Sequence, residues 1–467
     1  MIKIGRARLC RAATLCTTHG STESRPTTCA EVFSQGRFVP VKILVVGGGG
    51  REHALVWKLK QSSGVDRIFC APGNAGTEAL GENVAIKAGD LPALTRFAKE
   101  NRIELTIVGP DDSLAAGIVD FLESEGLRIF GPTRSAARLE SSKIFAKELM
   151  RAKQIPTARA AIFEKQEAAF AFLRESHFPI VIKADGLALG KGVIVAKDIS
   201  EAEQAVKAML SEGRFGEAGR RLLIEECLAG TECSLHALVD GKNFRMLASA
   251  RDHKRAFDGD AGPNTGGMGA FSPANNFDAA MQARFEGEVM RPLLDGLRER
   301  GVTFRGLLFP GLMITRDGPR VLEFNCRFCD PETQAILPRL KSDLLPLLEA
   351  TIDGTLDSAK IEWDARPAVT VVMASGGYPD KYETGKLISG LASPASDDVQ
   401  IFHAGTRREN GGIVTSGGRV LAVTALGETV AAARTRAYDA VSRIHFEGCH
   451  YRRDIALGAA DDKIVGH

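Results

Sequence analysis

The sequence predicts an α/β protein with a parallel sheet in its N-terminal part and two further mixed regions behind it. Three observations carry this. Short β-branched runs ending in glycine or alanine recur from residue 41, at 42–47 (KILVVG), 67–71 (RIFCA), 104–109 (ELTIVG) and 127–131 (LRIFG). Segments of helical period lie between them, as at 52–61 and 91–101, the alternation that βαβ units require. Apolar residues make up 44% and charged residues 25% of 467 residues, enough to bury a large core and to divide into about three domains.

The first 40 residues stand apart from this pattern. Lys3, Arg6, Arg8, Arg11, Arg25 and Arg37 face only Glu23 and Glu31, among nine Ser and Thr. An Arg- and Ser/Thr-rich, acid-poor leader resembles an organelle transit peptide; a disordered tail or an over-extended start is the alternative. A plastid or mitochondrial location is expected if it is a transit peptide, and a cytoplasmic one otherwise. It lacks the apolar core of a secretory signal.

The first folded region is expected at 41–138. The second, at 139–363, carries strands at 180–183, 192–196, 221–225, 234–239 and 320–324, with an amphipathic helix at 201–211. The third, at 364–467, opens on the run AVTVVMA at 368–374, followed by a strand at 418–424 and a helix at 429–444. No further enzyme domain is expected after it.

Charge and cysteine content exclude several classes. The net charge is +2, which gives no nucleic-acid footprint. No apolar run approaches the ~18 residues of a membrane span. Nine cysteines spread over this length read as free thiols rather than a disulfide framework.

Five motifs carry the chemistry. The run GGGGREH at 47–53 follows a strand and opens a helix, so its N–H groups suit a phosphate; a purely structural turn is the alternative. A dinucleotide fingerprint is disfavoured, because Glu52 or His53 replaces its third glycine and the second strand, 67–71, lacks a terminal acid for a ribose. In KADGLALGKG at 183–192, Lys183 on a strand and Lys191 on a glycine loop suit a nucleotide's phosphate chain under a closing lid; a hairpin with a solvated lysine is the alternative. It is no P-loop, since the glycine spacing is one residue short and Gly192 stands where Ser or Thr should be.

In IEECL at 224–228, Glu225 and Glu226 at a strand end, with Glu232 beyond, could serve adenine and ribose. In EFNCRFCDPETQ at 323–334, Glu323 and Asn325 share one strand face, an oxygen pair suited to Mg²⁺ beside phosphates. Cys326 and Cys329 read as thiols without zinc, since no second pair follows. Finally, DHKR at 252–255 beside GPNTGGMG at 262–269 suggests a polar pocket with a mobile wall.

In this order, and with APGNAGT at 71–77, TIVGP at 106–110, IFGPT at 129–133, GGYP at 376–379, HAGT at 403–406 and GGRVL at 417–421, the motifs closely resemble the glycinamide ribonucleotide synthetases (phosphoribosylamine–glycine ligases) of the ATP-grasp superfamily. The resemblance spans about 41–456. It implies an ATP-grasp fold with an N-terminal Rossmann-like (pre-ATP-grasp) domain, a lid subdomain at about 156–229 and a small C-terminal mixed domain. It further implies ATP as co-substrate with Mg²⁺ or Mn²⁺, phosphoribosylamine and glycine as substrates, a monomer or homodimer, and neither nucleic acid nor membrane as partner.

Carried over residue by residue, the resemblance puts Lys143, Lys183 and Lys191 on ATP phosphates, with Gly186, Gly190 and Gly192 in the lid. It puts Glu225 and the backbone of Glu226 to Leu228 on adenine, and Glu232 on ribose. Glu323 and Asn325 would bind the metal. Arg327, Asp330 and Glu332, with Gly48, Gly49, Gly50 and Asn74, would face phosphoribosylamine. Asp252, Lys254 and Arg327 are the expected catalytic groups, with Asn264, Thr265, Gly266 and Gly267 lining the glycine and acyl-phosphate site. Another ATP-grasp carboxylate–amine ligase is the rival reading. Departures from the family pattern are Cys329 for Gly, Gly48 for Asn or Ser, Asp111 for Glu and Ser416 for Asn. The Cys329 Cβ is expected to crowd its loop or to demand a positive φ.

Overall fold

The computed structural model describes residues 40–187, 192–212, 216–391 and 396–459. The leader, and with it the targeting expectation, lies outside the described residues, as do Gly190 and Lys191 of the lid loop.

The N-terminal strands form one parallel five-stranded sheet, in the spatial order Glu82–Asn83, Val65–Pro72, Val41–Gly47, Leu105–Val108, Ile129–Phe130. Alternation along the central strand explains why both faces are covered. Ile43 and Val45 enter one core with Leu55 and Leu59 of helix Gly50–Leu59. Leu44 and Val46 enter the other with Leu94 and Leu122 of helices Leu91–Glu100 and Ile118–Ser124. A continuous apolar run on a strand is the signature of a sheet buried on both sides.

Residues Ala160–Phe163, Leu222–Glu226, Ile180–Ala184 and Val193–Ala196 form an antiparallel sheet in that spatial order. Helices Gln166–Arg174 and Ile199–Leu210 pack on it around Leu173, Ile182 and Val206. A third sheet joins Thr231–Ser234, Arg305–Thr315, Ala237–Asp240 and Phe244–Met246, with Gly318–Asn325 also paired to Arg305–Thr315.

The single strand expected at 234–239 is two strands, because Leu235 and His236 leave the ladder between them. The eleven-residue strand Arg305–Thr315 has no counterpart in the sequence reading. Gly306, Pro310 and Gly311 interrupt its apolar run, and such residues argue against a central strand.

The last sheet, Arg251–Asp252, Gly269–Ser272, Ala368–Ala374, Arg419–Leu426, Val399–His403, draws strands from both sides of residue 364. Helix Val430–Val441 packs on it through Ala433, Ala437 and Val441. Thus Asp252 and Arg419, 167 positions apart in sequence, belong to one sheet. No helix among the described residues is long and apolar enough to cross a membrane.

Candidate active site

A cavity of about 570 Å³ opens where these sheets meet. Lysines line part of its wall. Lys143 and Lys147 are four apart on helix Lys143–Ala152, hence on one face, and both reach the cavity. Asp185 sets this helix start, accepting from Ser142 Oγ at 2.9 Å and from the Ile144 N–H at 3.1 Å. Lys143 Nζ donates to Gly186 O at 3.1 Å, tying the helix to the turn after strand Ile180–Ala184.

Lys183 and Glu225 come from adjacent antiparallel strands and lie diagonally on one face. Glu225 is buried between two lysines, with Lys147 Nζ and Lys183 Nζ each 2.8 Å from one of its oxygens. Burial alone would push this carboxyl up, but Lys183 and Lys147 more than offset it and hold it below the usual range. Burial pulls the Lys147 ammonium down against the same partner.

Carboxylates line the cavity as well. Glu323 and Asn325 end strand Gly318–Asn325 on one face, and both line it, together with Glu232, Asp252 and Glu332. Lys254 Nζ lies 2.7 Å from Glu232 Oε2, and Ser234 Oγ donates to Glu332 Oε1 at 3.1 Å. Burial pushes Asp252 up to about 8 against the pull of Lys254, with Glu332, Glu232 and Glu323 adding to the rise. Glu332 is raised by burial as well. Lys254 is held well above its usual value because Glu232, Asp252 and Glu323 outweigh its burial. Glu323 stays below its usual value despite burial, because Lys254, Lys183, Lys143 and Arg327 surround it. Among the described residues no three His, Cys, Asp or Glu side chains converge as a metal cage; Glu323 and Asn325 offer instead an oxygen pair of the kind that holds a divalent cation together with nucleotide phosphates.

The glycine turn forms another part of the wall. Glu52, at the third helical position, turns back to accept from Gly49 N at 2.6 Å and sits 2.7 Å from Arg51 Nε, a capping-box arrangement. It fills the space beneath Gly109, where a Cβ would lie 1.8 Å from Glu52 Oε1. Gly48 and Gly49 line the cavity. Gly50 is packed instead against Gln334 Nε2, 2.6 Å from where its Cβ would be.

Arg327 Nη2 pairs with buried Glu140 at 3.2 Å, and its Nη1 donates to Cys329 Sγ at 2.7 Å. Cys329 is not among the non-glycine residues of positive φ, and its thiol is buried. The positive φ is therefore not required, but the sulfur is crowded, since Arg327 Nη1 at 2.7 Å sits well inside an ordinary N–H···S separation.

Of the expected site residues, Lys143, Lys183, Gly186, Gly192, Glu225, Glu232, Asp252, Lys254, Thr265, Gly266, Glu323, Asn325, Arg327, Asp330 and Glu332 join Gly48 and Gly49 around the cavity. Others are placed elsewhere. Asn74 caps helix Ala75–Leu80 with its oxygen, while its Nδ2 donates to the carbonyls of Gly48, Gly49 and His403; it supports the glycine turn from behind. The Glu226 carboxylate is taken by Arg159, through N at 2.9 Å and Nε at 2.8 Å, and Leu228 lies outside the lining. Asn264 is exposed on a hairpin paired with Arg255, and Gly267 is buried against Pro331. Cys326 is a buried free thiol.

The sequence reading missed Lys147, Glu140, Glu52, Tyr378 and Arg419, all of which line the cavity. For two of them a local signal existed: Lys147 follows Lys143 by one helical turn, and Glu52 completes a capping box. The other three meet the site only through tertiary contacts.

Comparison with known proteins agrees with this geometry. Three family models cover the chain: the phosphoribosylglycinamide synthetase N domain at 41–140, its ATP-grasp (A) domain at 141–333 and its C domain at 368–458. The phosphoribosylamine–glycine ligase of Allochromatium vinosum is 54% identical over 418 residues, covering 89% of this chain and 98% of that protein. That of an Escherichia coli O6:H1 strain is 51% identical over 425 residues, covering 90% and 99%. Among solved structures, the Thermotoga maritima phosphoribosylamine–glycine ligase superposes with a TM-score of 0.78 at 35% identity, covering 89% of this chain and all of that one. The biotin carboxylase of Campylobacter jejuni shares the fold at 14% identity, with a TM-score of 0.71 and coverage of 92% and 97%. With all three domains matched and relatives of about half-identical sequence aligned almost end to end, the chain belongs to the phosphoribosylglycinamide synthetase family.

Proposed function

We propose that the protein joins glycine to the amine of 5-phosphoribosylamine, with cleavage of ATP to ADP and phosphate, as a step of purine biosynthesis. The observation that carries this is one cavity lined by buried lysines, several carboxylates and a glycine turn. Relatives that bear the ligase name align over nearly the whole chain.

A carboxylate is a poor electrophile, so activation comes first. The glycine carboxylate oxygen attacks the γ-phosphorus, the bond to the β-phosphate oxygen breaks, and glycyl phosphate and ADP form. The amine then attacks the acyl carbon, phosphate leaves, and the amine nitrogen loses its proton. Positioning and charge neutralisation dominate such chemistry. Lys143 and Lys183 hold the phosphate chain, and Lys147 keeps Glu225 and Lys183 in register. Lys254 and Arg327 face the acyl phosphate, Lys254 being held by Glu232 at 2.7 Å, with Asp252 beside them in the cavity wall. Gly48, Gly49 and Glu332 border phosphoribosylamine, while Asp330 acts by holding loops. Gly186 and Gly192 line the cavity. Glu323 and Asn325 would hold Mg²⁺ or Mn²⁺, which when bound offsets the charge on the phosphoryl oxygens.

Residues 1–40 serve targeting to a plastid or mitochondrion in this reading, supported by their composition and by family matches that begin at residue 41. The functional unit is a monomer or homodimer. ATP turnover by the purified protein, with each substrate omitted in turn and the product identified by mass, tests the reading.

A further inference from the structure

Asp330 receives donors from three parts of the chain. Its Oδ2 accepts from the backbone N–H of Arg51 at 3.1 Å, in the first turn after the glycine loop. Its Oδ1 accepts from Gln334 Nε2 at 2.9 Å and lies 3.1 Å from Arg419 Nη1. Arg419 begins a strand of the last sheet and does more than pair with this carboxylate. The same Nη1 donates to Asp330 O at 2.9 Å and to Gly266 O.

Gly266 in turn donates its N–H to Tyr378 Oη at 3.0 Å. The guanidinium lies so close over Gly266 that a Cβ there would be 2.9 Å from Arg419 Cζ. At Gly267, with φ +107°, a Cβ would be 2.4 Å from Pro331 Cδ. The 265–267 turn is thus pressed onto the Asp330 loop with Arg419 between them. Both Arg419 and Tyr378 line the cavity, and Arg419 adjoins the glycine turn through Asp330.

We propose that Arg419 is a positioning residue for the phosphoribosylamine end of the site: by bonding Asp330 and Gly266 together it sets the gap between the glycine turn and the 265–267 turn. This rests on the ligase reading above. Charge gives a second reason. A phosphorylated substrate entering beside Gly48 and Gly49 meets the Asp330 carboxylate, and Arg419 is the side-chain cation paired with that carboxylate. All three contacts come from the one nitrogen Nη1, so a lysine ammonium retains the charge and the donors but has a different reach and no plane to lie over Gly266.

The test uses the full chain and two readouts. In steady-state assays with phosphoribosylamine generated in the mixture, Arg419→Met should raise KM for phosphoribosylamine at least tenfold while KM for ATP changes less than threefold. Arg419→Lys should recover part of that loss, and Tyr378→Phe, which keeps the packing, should show a smaller effect of the same kind. Calorimetric titration with ribose 5-phosphate, a stable anionic probe, needs no turnover: the affinity of Arg419→Met should fall at least tenfold, with ADP affinity unchanged. Unchanged ribose 5-phosphate affinity in a folded Arg419→Met variant overturns the proposal, and so does an equal loss for ADP. Failure of the ligase reading is seen separately, as wild-type protein that binds ribose 5-phosphate but hydrolyses no ATP when phosphoribosylamine and glycine are present.

Discussion

Lys183 Nζ lies 2.8 Å from Glu225 Oε2, with both side chains almost wholly buried in the cavity wall. The other Glu225 oxygen is taken by Lys147, so one carboxylate fixes two ammonium groups. Removing one partner of a buried ion pair costs about 3–5 kcal/mol.

Glu225→Gln should therefore lose about that much stability in urea unfolding at pH 7 and bind ATP more weakly. The folded carboxyl titrates below its ordinary 4.5, so its contribution is present above that value and is lost as pH falls through the folded value. The stability gap between wild type and variant should narrow in acid.

Four histidines, three of them buried and His253 partly so, predict a second pH dependence. Burial lowers His53 and His236 to about 3, and His253 and His403 to about 4, from 6.5. Each contributes stability that is complete above 6.5 and is lost as pH falls toward the folded value, with a slope of about 1.4 kcal/mol per pH unit for each proton. Unfolding free energies from pH 7 to 4.5 should fall steeply. His236 stacks on Phe309 with ring centroids 4.6 Å apart, so His236→Phe should keep the packing and flatten the slope by about one proton.

Glu323→Gln should leave the protein folded, with some loss of stability because Lys254, Lys183, Lys143 and Arg327 favour the charged carboxylate, and remove most turnover, because the carboxylate that would face the metal loses its charge. Turnover at the wild-type rate in that variant contradicts the metal assignment.

A chain beginning at Val41 should keep wild-type activity and stability, since residues 1–40 carry none of the motifs. A fluorescent fusion of residues 1–40 should enter a plastid or mitochondrion. A diffuse cytosolic signal contradicts targeting, and a truncated chain that unfolds makes the leader part of the first domain.

The features legible in the sequence share a local origin. The parallel sheet was readable because strand Val41–Gly47 is apolar on both faces, and the Glu323/Asn325 pair because strand alternation puts them together. What escaped depends on distant contacts. Arg419 and Tyr378 reach the cavity because the last sheet combines Gly269–Ser272 with Ala368–Ala374, a pairing no local period announces. Asn74 read as a ligand, although an asparagine at a helix start also caps, and here its amide holds the glycine turn as well. The Glu226 carboxylate, beside Glu225 on the strand, points to the opposite face and finds Arg159.

The most direct measurement is ATP turnover by purified protein in the presence of Mg²⁺, with glycine and phosphoribosylamine supplied together and then each withheld. The account predicts one ADP and one phosphate per glycinamide ribonucleotide formed, with no product when either substrate is absent. Sustained ligation of a different amine or carboxylate in preference to these two, or complete indifference of ATP cleavage to both, would contradict it.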